Sequence, residues 1–391
     1  MKPKWLKTSY IKRKITDKLL DCFFLPKKEI SEEHQRCKHK LLVTSTDGLG
    51  DTFLRFPLLK AWQKQYVHVW VLTQAVSAPI YKAAGFHVII YTHKMRTNLR
   101  QRIKLIHYLN RQAFNRIYAA EFIRNDNLVK YLQGYTLGCT HPRLETRNQE
   151  VDVLIDTAPY QGTVLKKYAL MTQCLQCDTT DNRPFFPAPS PITTKNIILL
   201  AIGAQDIGRM MRVSNLCLLI QKLLINDPRC TILLVGNGKK EQHYARKILK
   251  TLPLEAISHV ISTVDKYSLL ELIPLIYQSK ILLGFDSGLY NLSYTLHHPT
   301  ICLASENERM LHRHASWVRI IKNTHGNIYG IKDQYGNTIT NALPIEDVIE
   351  AYNSLTHHNV KAQKEKIIPY YSYQFNFIHL LQKAHLFYEF N

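Results

Sequence analysis

From Lys40 onward, short β-branched and aliphatic runs alternate with longer segments of helical period, the pattern of repeated βα units on a parallel sheet. A first set of strands is expected at Leu41–Ser45, Val67–Leu72, His87–Tyr91 and Asn115–Ala120, and a second at Asn196–Gly203, Thr231–Gly236, His259–Thr263, Lys280–Phe285 and Pro299–Ala304. Between them, PFFPAPSPITT (184–194) packs four prolines into eleven residues, which suits neither helix nor sheet interior and reads as a linker. The expected class is therefore α/β: two doubly wound parallel-sheet units, 40–183 and 195–360, with a ligand cleft at the carboxyl ends of their strands.

Two extensions flank this pair. In residues 1–39, Leu6, Ile11, Ile15, Leu19 and Phe23 recur at roughly helical spacing among basic residues, which fits either a membrane-surface helix or a helix packed on the first unit. The aromatic-rich stretch from Tyr370, within 361–391, reads as a terminal helix docked on a domain.

Composition narrows the class. With 46% hydrophobic residues the chain is not a disordered basic tail, and no run approaches the roughly 18 apolar residues that a spanning helix needs. The N-terminus lacks the apolar segment and cleavage site of a secretory signal, so a soluble cytoplasmic protein is expected, its eight cysteines reduced. The 51 Lys+Arg against 30 Asp+Glu leave a net charge of +21, with 12 basic and 5 acidic residues in the first 40 positions. Such a balance admits nucleic acid, an anionic membrane or a phosphorylated or carboxylated substrate as partner.

Four strand-to-helix loops could carry chemistry. DGLGD, Asp47 to Asp51, precedes a helix expected to begin near Thr52; its glycines let the backbone approach a ligand, and Asp51 could be a general base or an N-cap. GAQDIGRMMR, Gly203 to Arg212, sets Arg209 and Arg212 near a helix start, where a diphosphate could be held, or where they are incidental solvated arginines. VGNGKKE (235–241) is a Gly-x-Gly turn. In FDSGLYNLSYTL, Phe285 to Leu296, Asp286 could accept hydrogen bonds from sugar hydroxyls while the helix start addresses a phosphate, or it is a simple cap.

Other chemistries find no support. There is no GxxxxGK[ST] loop, no HExxH and no third glycine at Phe53 to complete a dinucleotide fingerprint. Cys174 and Cys177 form a CxxC with only Cys139 near in sequence, too little for a structural zinc site, and the 18 histidines are scattered.

Taken in order, the loops resemble those of glycosyltransferase family 9, the bacterial heptosyltransferases of the lipopolysaccharide inner core. The resemblance runs from about Leu41 to Ala315 and rests on GLGDTFLRFP (Gly48 to Pro57), Gly203-Ala204 with Arg209, YSLLEL (Tyr267 to Leu272), ILLGFDSG (Ile281 to Gly288) and HHPTICLAS after it. It implies a GT-B fold and an inverting transfer without essential metal or cofactor from a nucleotide sugar, usually ADP-heptose. It would make Asp51 the base that deprotonates the acceptor hydroxyl. Arg209, where the family usually has lysine, would stabilise the departing diphosphate, and Asp286 would hold the sugar hydroxyls. Gly203, Ala204, Arg212, Gly236, Glu271, Ser287 and Gly288 would line the donor side, and Gly48, Gly50 and Arg55 the acceptor side. No Asp-x-Asp pair is present to hold a divalent cation, so arginines and helix N-termini would neutralise the diphosphate.

The sequence departs from that pattern at Met211-Arg212 (usually Trp-Pro), at Leu289 and Asn291 (usually Pro and His), and in SENERMLHRH (305–314), which replaces a Gly-Pro-Thr-like turn. The resemblance further implies an anionic glycolipid acceptor and peripheral association with the cytoplasmic face of the inner membrane. Alternatives are another nucleotide sugar or glycan, a non-catalytic relative, and a non-enzymatic nucleic-acid-binding module. The last is disfavoured by glycines placed at strand-to-helix turns.

Overall fold

A computed structural model of the chain describes residues 15, 18–24, 39–119, 128–139, 151–155, 184, 186–188, 196–204, 207–304, 315–322 and 338–362. Its strands are β1 (Lys40–Ser45), β2 (His68–Thr73), β3 (His87–Ile90), β4 (Arg116–Ala119), β5 (Tyr135–Cys139) and β6 (Val153–Ile155), then β7 (Ile197–Ala201), β8 (Thr231–Val235), β9 (Val260–Ser262), β10 (Ile281–Phe285), β11 (Thr300–Leu303) and β12 (Val318–Ile321). All pairings are parallel. The first sheet has the order β3-β2-β1-β4-β5-β6 and the second β12-β11-β10-β7-β8-β9. Counted from its own first strand, each sheet is the doubly wound 3-2-1-4-5-6 order.

The sequence explains the parallel form. LLVTS in β1, ILLA in β7 and ILLGF in β10 are buried along their length, as strands covered by helices on both faces must be. Three strands escaped the sequence reading: β5, β6 and β12. Val67, expected to open β2, lies exposed before it.

One apolar core crosses both sheets, joining Leu41, Val43, Phe53, Phe56 and Trp62 to Leu272, Ile273, Leu292 and Leu296. Phe186 of the Pro-rich segment helps to close it. Its ring lies 5.9 Å from Phe56, and its carbonyl accepts a 2.5 Å hydrogen bond from the Tyr277 hydroxyl. A second core sits between β7–β11 and the helices Val213–Asn226, Lys239–Thr251 and Ile345–Ala362.

Of the N-terminal extension, 18–23 is helical and docks on the first sheet unit, but not through the expected stripe. Leu20 is fully buried and Phe24 packs on His107 and Tyr131, whereas Ile15, Leu19 and Phe23 stay exposed. Leu6, Ile11, the CxxC and the Tyr370 stretch lie outside the described residues. Among the described residues no helix is long and apolar enough to cross a membrane, and Cys22, Cys217, Cys230 and Cys302 are free thiols.

Candidate functional site

The loops expected to carry chemistry leave the carboxyl ends of β1, β7, β8 and β10. In both sheets the order reverses between the first and fourth strands, so β1, β7 and β10 flank the switch points where open α/β sheets bind ligands.

After β1 the chain turns through Thr46, Asp47 and Gly48. Gln74 Nε2 donates to the Thr46 carbonyl at 2.5 Å. The helix begins at Leu49, three residues earlier than expected, with Gly48 as an extended N-cap that makes no side-chain bond. Asp51 is therefore in the first helical turn instead of capping it, half-buried, its Oδ2 3.4 Å from the place of a Cβ on Gly48. A carboxylate folded back toward the helix start is favoured by the free N–H groups there.

Arg55, expected on the acceptor side, is placed in the interior. Its side chain is fully buried, with Nη1 donating to Asp47 Oδ1 at 2.5 Å and to Ser45 Oγ at 2.7 Å, while Nη2 ion-pairs with Asp47 Oδ2. A guanidinium engaged in this way braces the turn from below. Ser45 Oγ also bonds the Tyr81 hydroxyl at 2.8 Å, whose pKa is raised by burial against the opposing Arg55 charge.

On the second sheet, Asp286 follows β10 and lies 3.5 Å from Arg209 Nη1, which rises from the turn after β7. The two loops that sequence reading linked only by order thus meet. Beside them, Gly203 and Gly236 leave room for a buried carboxylate that the reading passed over, Glu241. A Cβ on Gly203 would stand 3.0 Å from Glu241 Oε1, and one on Gly236 3.1 Å from its Cβ. Lys240 Nζ lies 3.3 Å from Glu241 Oε1 and donates to the Ala204 carbonyl. The turn is set by Gly238 at φ 103, whose N–H donates to Asp265 Oδ1 at 2.6 Å.

Ser287 caps the helix Gly288–Thr295 in extended backbone. Its Oγ and the Oδ1 of Asn291 are buried without a hydrogen-bond partner, while Asn291 Nδ2 donates to the Ser287 carbonyl at 2.8 Å. This helix packs directly on Leu49–Leu54, and the contact is reciprocal. A Cβ on Gly288 would come within 2.7 Å of Leu49 Cδ2, and one on Gly50 within 2.7 Å of Asn291 Nδ2. The Asp51 and Asp286 loops are thereby brought together across the two sheets.

Two residues expected on the donor side make local contacts. Glu271 sits on an exposed turn, where Oε2 accepts from the Ser268 N–H at 2.7 Å and Ser268 Oγ from the Glu271 N–H at 3.4 Å. That capping box holds its carboxyl below the usual range, so its evident work is local. Arg212 is an exposed N-cap whose N–H is fixed by Asn341 Oδ1 at 2.7 Å. Its neighbour Met211, at the position of departure, is core, with its carbonyl accepting from the Tyr244 hydroxyl at 2.5 Å. The missed residues had signals: Glu241 follows a Gly-x-Gly turn by three positions, and Asn291 follows the Ser287 cap by four. Among the described residues no three His, Cys, Asp or Glu side chains gather as a metal site.

Two doubly wound parallel sheets with their switch-point loops opposed define a GT-B fold. E. coli ADP-heptose lipopolysaccharide heptosyltransferase II shares it at a TM-score of 0.64, with 18% identity over 82% of this chain and 99% of that one. A glycosyl transferase family 9 structure from Veillonella parvula matches at 0.65, with 12% identity over 85% and 99%. E. coli heptosyltransferase WaaC, solved with ADP-2-deoxy-2-fluoro heptose, matches at 0.61, with 15% identity over 80% and 99%. No protein-family model matches the sequence, and no curated protein does. At these identities the common property is the fold.

Proposed function

We propose that the protein is an inverting, metal-independent glycosyltransferase that moves heptose from ADP-heptose to an anionic inner-core glycolipid at the cytoplasmic face of the inner membrane. The observation that carries the reading is the apposition of two loops at opposed switch points: Asp51 in the first turn of one helix, and the Asp286–Arg209 pair at the start of the other. Inverting transfer needs a base for the acceptor hydroxyl on one side of the anomeric carbon and charge neutralisation for the diphosphate on the other. Asp51 supplies the base. Arg209 and the Ser287–Gly288 helix start receive the diphosphate, Asp286 and the buried acceptors Ser287 Oγ and Asn291 Oδ1 meet sugar hydroxyls, and Glu241 takes the ribose. Arg55 serves by holding the turn that carries Asp51.

A second reading keeps the chemistry and changes the donor. It is favoured by Asn291, a short amide where the resembled family usually has His.

A thermal-shift panel of ADP-, GDP-, UDP- and CMP-sugars tests both. A ligand at a hundredfold its Kd stabilises by about 2.7 kcal/mol, a rise of a few degrees in a chain of this size. Selective stabilisation by ADP-heptose is expected; selective response to another sugar supports the second reading, and no response to any removes nucleotide-sugar binding.

A further inference from the structure

The N-terminal helix lies on the first sheet unit with one face buried and another bare. Leu20 and Phe24 point inward, while Ile15, Leu19 and Phe23, four residues apart, form an apolar stripe that is 54%, 41% and 65% exposed. An apolar stripe in water needs a reason, and its surroundings supply one. Phe24 packs on His107 at 5.3 Å, so the stripe runs beside the helix Leu99–Arg111. That helix buries Arg102, Leu105, Ile106 and Leu109 and turns Arg100, Lys104, His107, Tyr108 and Arg111 to solvent. It contains no acidic residue. The one described acid on the docked segment, Asp21, is neutralised by Lys130 and the Tyr131 hydroxyl.

This local arrangement belongs to a strong asymmetry in the whole chain. Residues 52–120 hold eleven Lys/Arg and no Asp or Glu, and residues 1–120 hold 23 Lys/Arg against 7 Asp/Glu. They therefore carry 16 of the 21 net positive charges, although they are less than a third of the length. Diphosphate binding does not account for this, because Arg209 and the Ser287–Gly288 helix start stand on the other sheet unit.

We propose that the surface formed by helix 18–23 and the helix Leu99–Arg111 docks on an anionic lipid bilayer. Arg100, Lys104 and Arg111 meet lipid phosphates while Ile15, Leu19 and Phe23 enter the headgroup–acyl boundary. A polyanion such as nucleic acid would use the cations and leave the apolar stripe in water, whereas a bilayer uses both. The proposal locates the membrane association of the reading above, yet its test is independent of nucleotide-sugar transfer.

The test is co-sedimentation of the full chain with vesicles of phosphatidylethanolamine and phosphatidylglycerol at roughly three to one, against phosphatidylcholine vesicles, at low and high salt. Wild type should sediment with the anionic vesicles only, and less at high salt. Leu19→Glu/Phe23→Glu and Arg100→Glu/Lys104→Glu/Arg111→Glu should each lose at least about tenfold in lipid affinity while keeping the wild-type thermal midpoint and nucleotide-sugar response. Failure of wild type to bind anionic vesicles, or wild-type binding by either variant, overturns the proposal. So does binding of a short DNA duplex that is as tight as vesicle binding and indifferent to Leu19 and Phe23. Loss of nucleotide-sugar binding with vesicle binding intact would instead count against the enzymatic reading alone.

Discussion

The carboxamide of Asn291 lies so close over Gly50 that a methyl group on position 50 would stand 2.7 Å from Asn291 Nδ2. One residue is in the first turn that carries Asp51, the other on the helix that follows Asp286, and each is the shape the other requires. Gly50→Ala alone must displace a buried amide that is bonded to the Ser287 carbonyl, against the ordinary gain of up to about 1 kcal/mol for replacing a helical glycine. In an Asn291→Ala background only the gain remains. Denaturant unfolding of the double-mutant cycle should show a coupling of about 1 kcal/mol, and additive effects would mean that the contact does not constrain the two helices.

The Asp47–Arg55 pair makes a sharper stability prediction. Arg55→Ala leaves Asp47 beneath the turn without its cation, and should cost roughly 3–5 kcal/mol. Arg55→Lys should recover little, because one ammonium cannot reproduce the fork that joins Asp47 to Ser45. A urea midpoint unchanged by Arg55→Ala would return Arg55 to the acceptor-side role that the resemblance implies.

How much was legible follows from physical scale. The apolar runs of β1, β7, β8 and β10, each buried throughout or nearly so, announce themselves, and so do the loops that follow them. The strands β5 and β12 interrupt their apolar residues with Thr136, Gly138 and Arg319, and β6 is three residues long, so none stands out as an apolar run and all are ordered by their neighbours in the sheet. The helix start was misplaced because Gly48 caps by backbone conformation alone, with no Ser, Thr or Asp to mark it. Arg55 and Glu271 look like binding residues in one dimension. That their charges are used by Asp47 and by Ser268 is a property of the folded turn.

Acidification should destabilise the fold before carboxylates begin to protonate. Burial pushes His298 down to about 3 and His297 down to about 4, the latter with Lys60 nearby, and lowers His87 beside His68 and Lys40. These groups are neutral in the folded chain and bind protons more readily when unfolded, so stability is full above pH 6.5 and falls as pH drops toward those values. For fully buried His298, bonded to Ser279 Oγ at 3.0 Å, the limiting slope is about 1.4 kcal/mol per pH unit; for the part-exposed His297 and His87, solvent screening narrows the pH range over which they contribute. Urea unfolding at pH 7, 6 and 5 should show this decline and a shallower one in His298→Gln. Equal slopes would place the proton uptake elsewhere.

Arg209→Ala should weaken ADP binding by about tenfold or more and leave the fold intact, since the side chain is 40% exposed and joins Asp286 only at 3.5 Å. Calorimetric titration with ADP checks it; unaltered affinity would remove Arg209 from the diphosphate site. Transfer should also survive EDTA, and loss on chelation would overturn the metal-free mechanism.

The most direct measurement is the rate of ADP release from ADP-heptose in the presence of an inner-core acceptor, compared between wild type and Asp51→Asn at matched donor saturation. Loss of the acceptor's base should cut turnover by about a hundredfold or more while donor binding persists. Turnover by Asp51→Asn at the wild-type rate, with wild type active, would contradict the account.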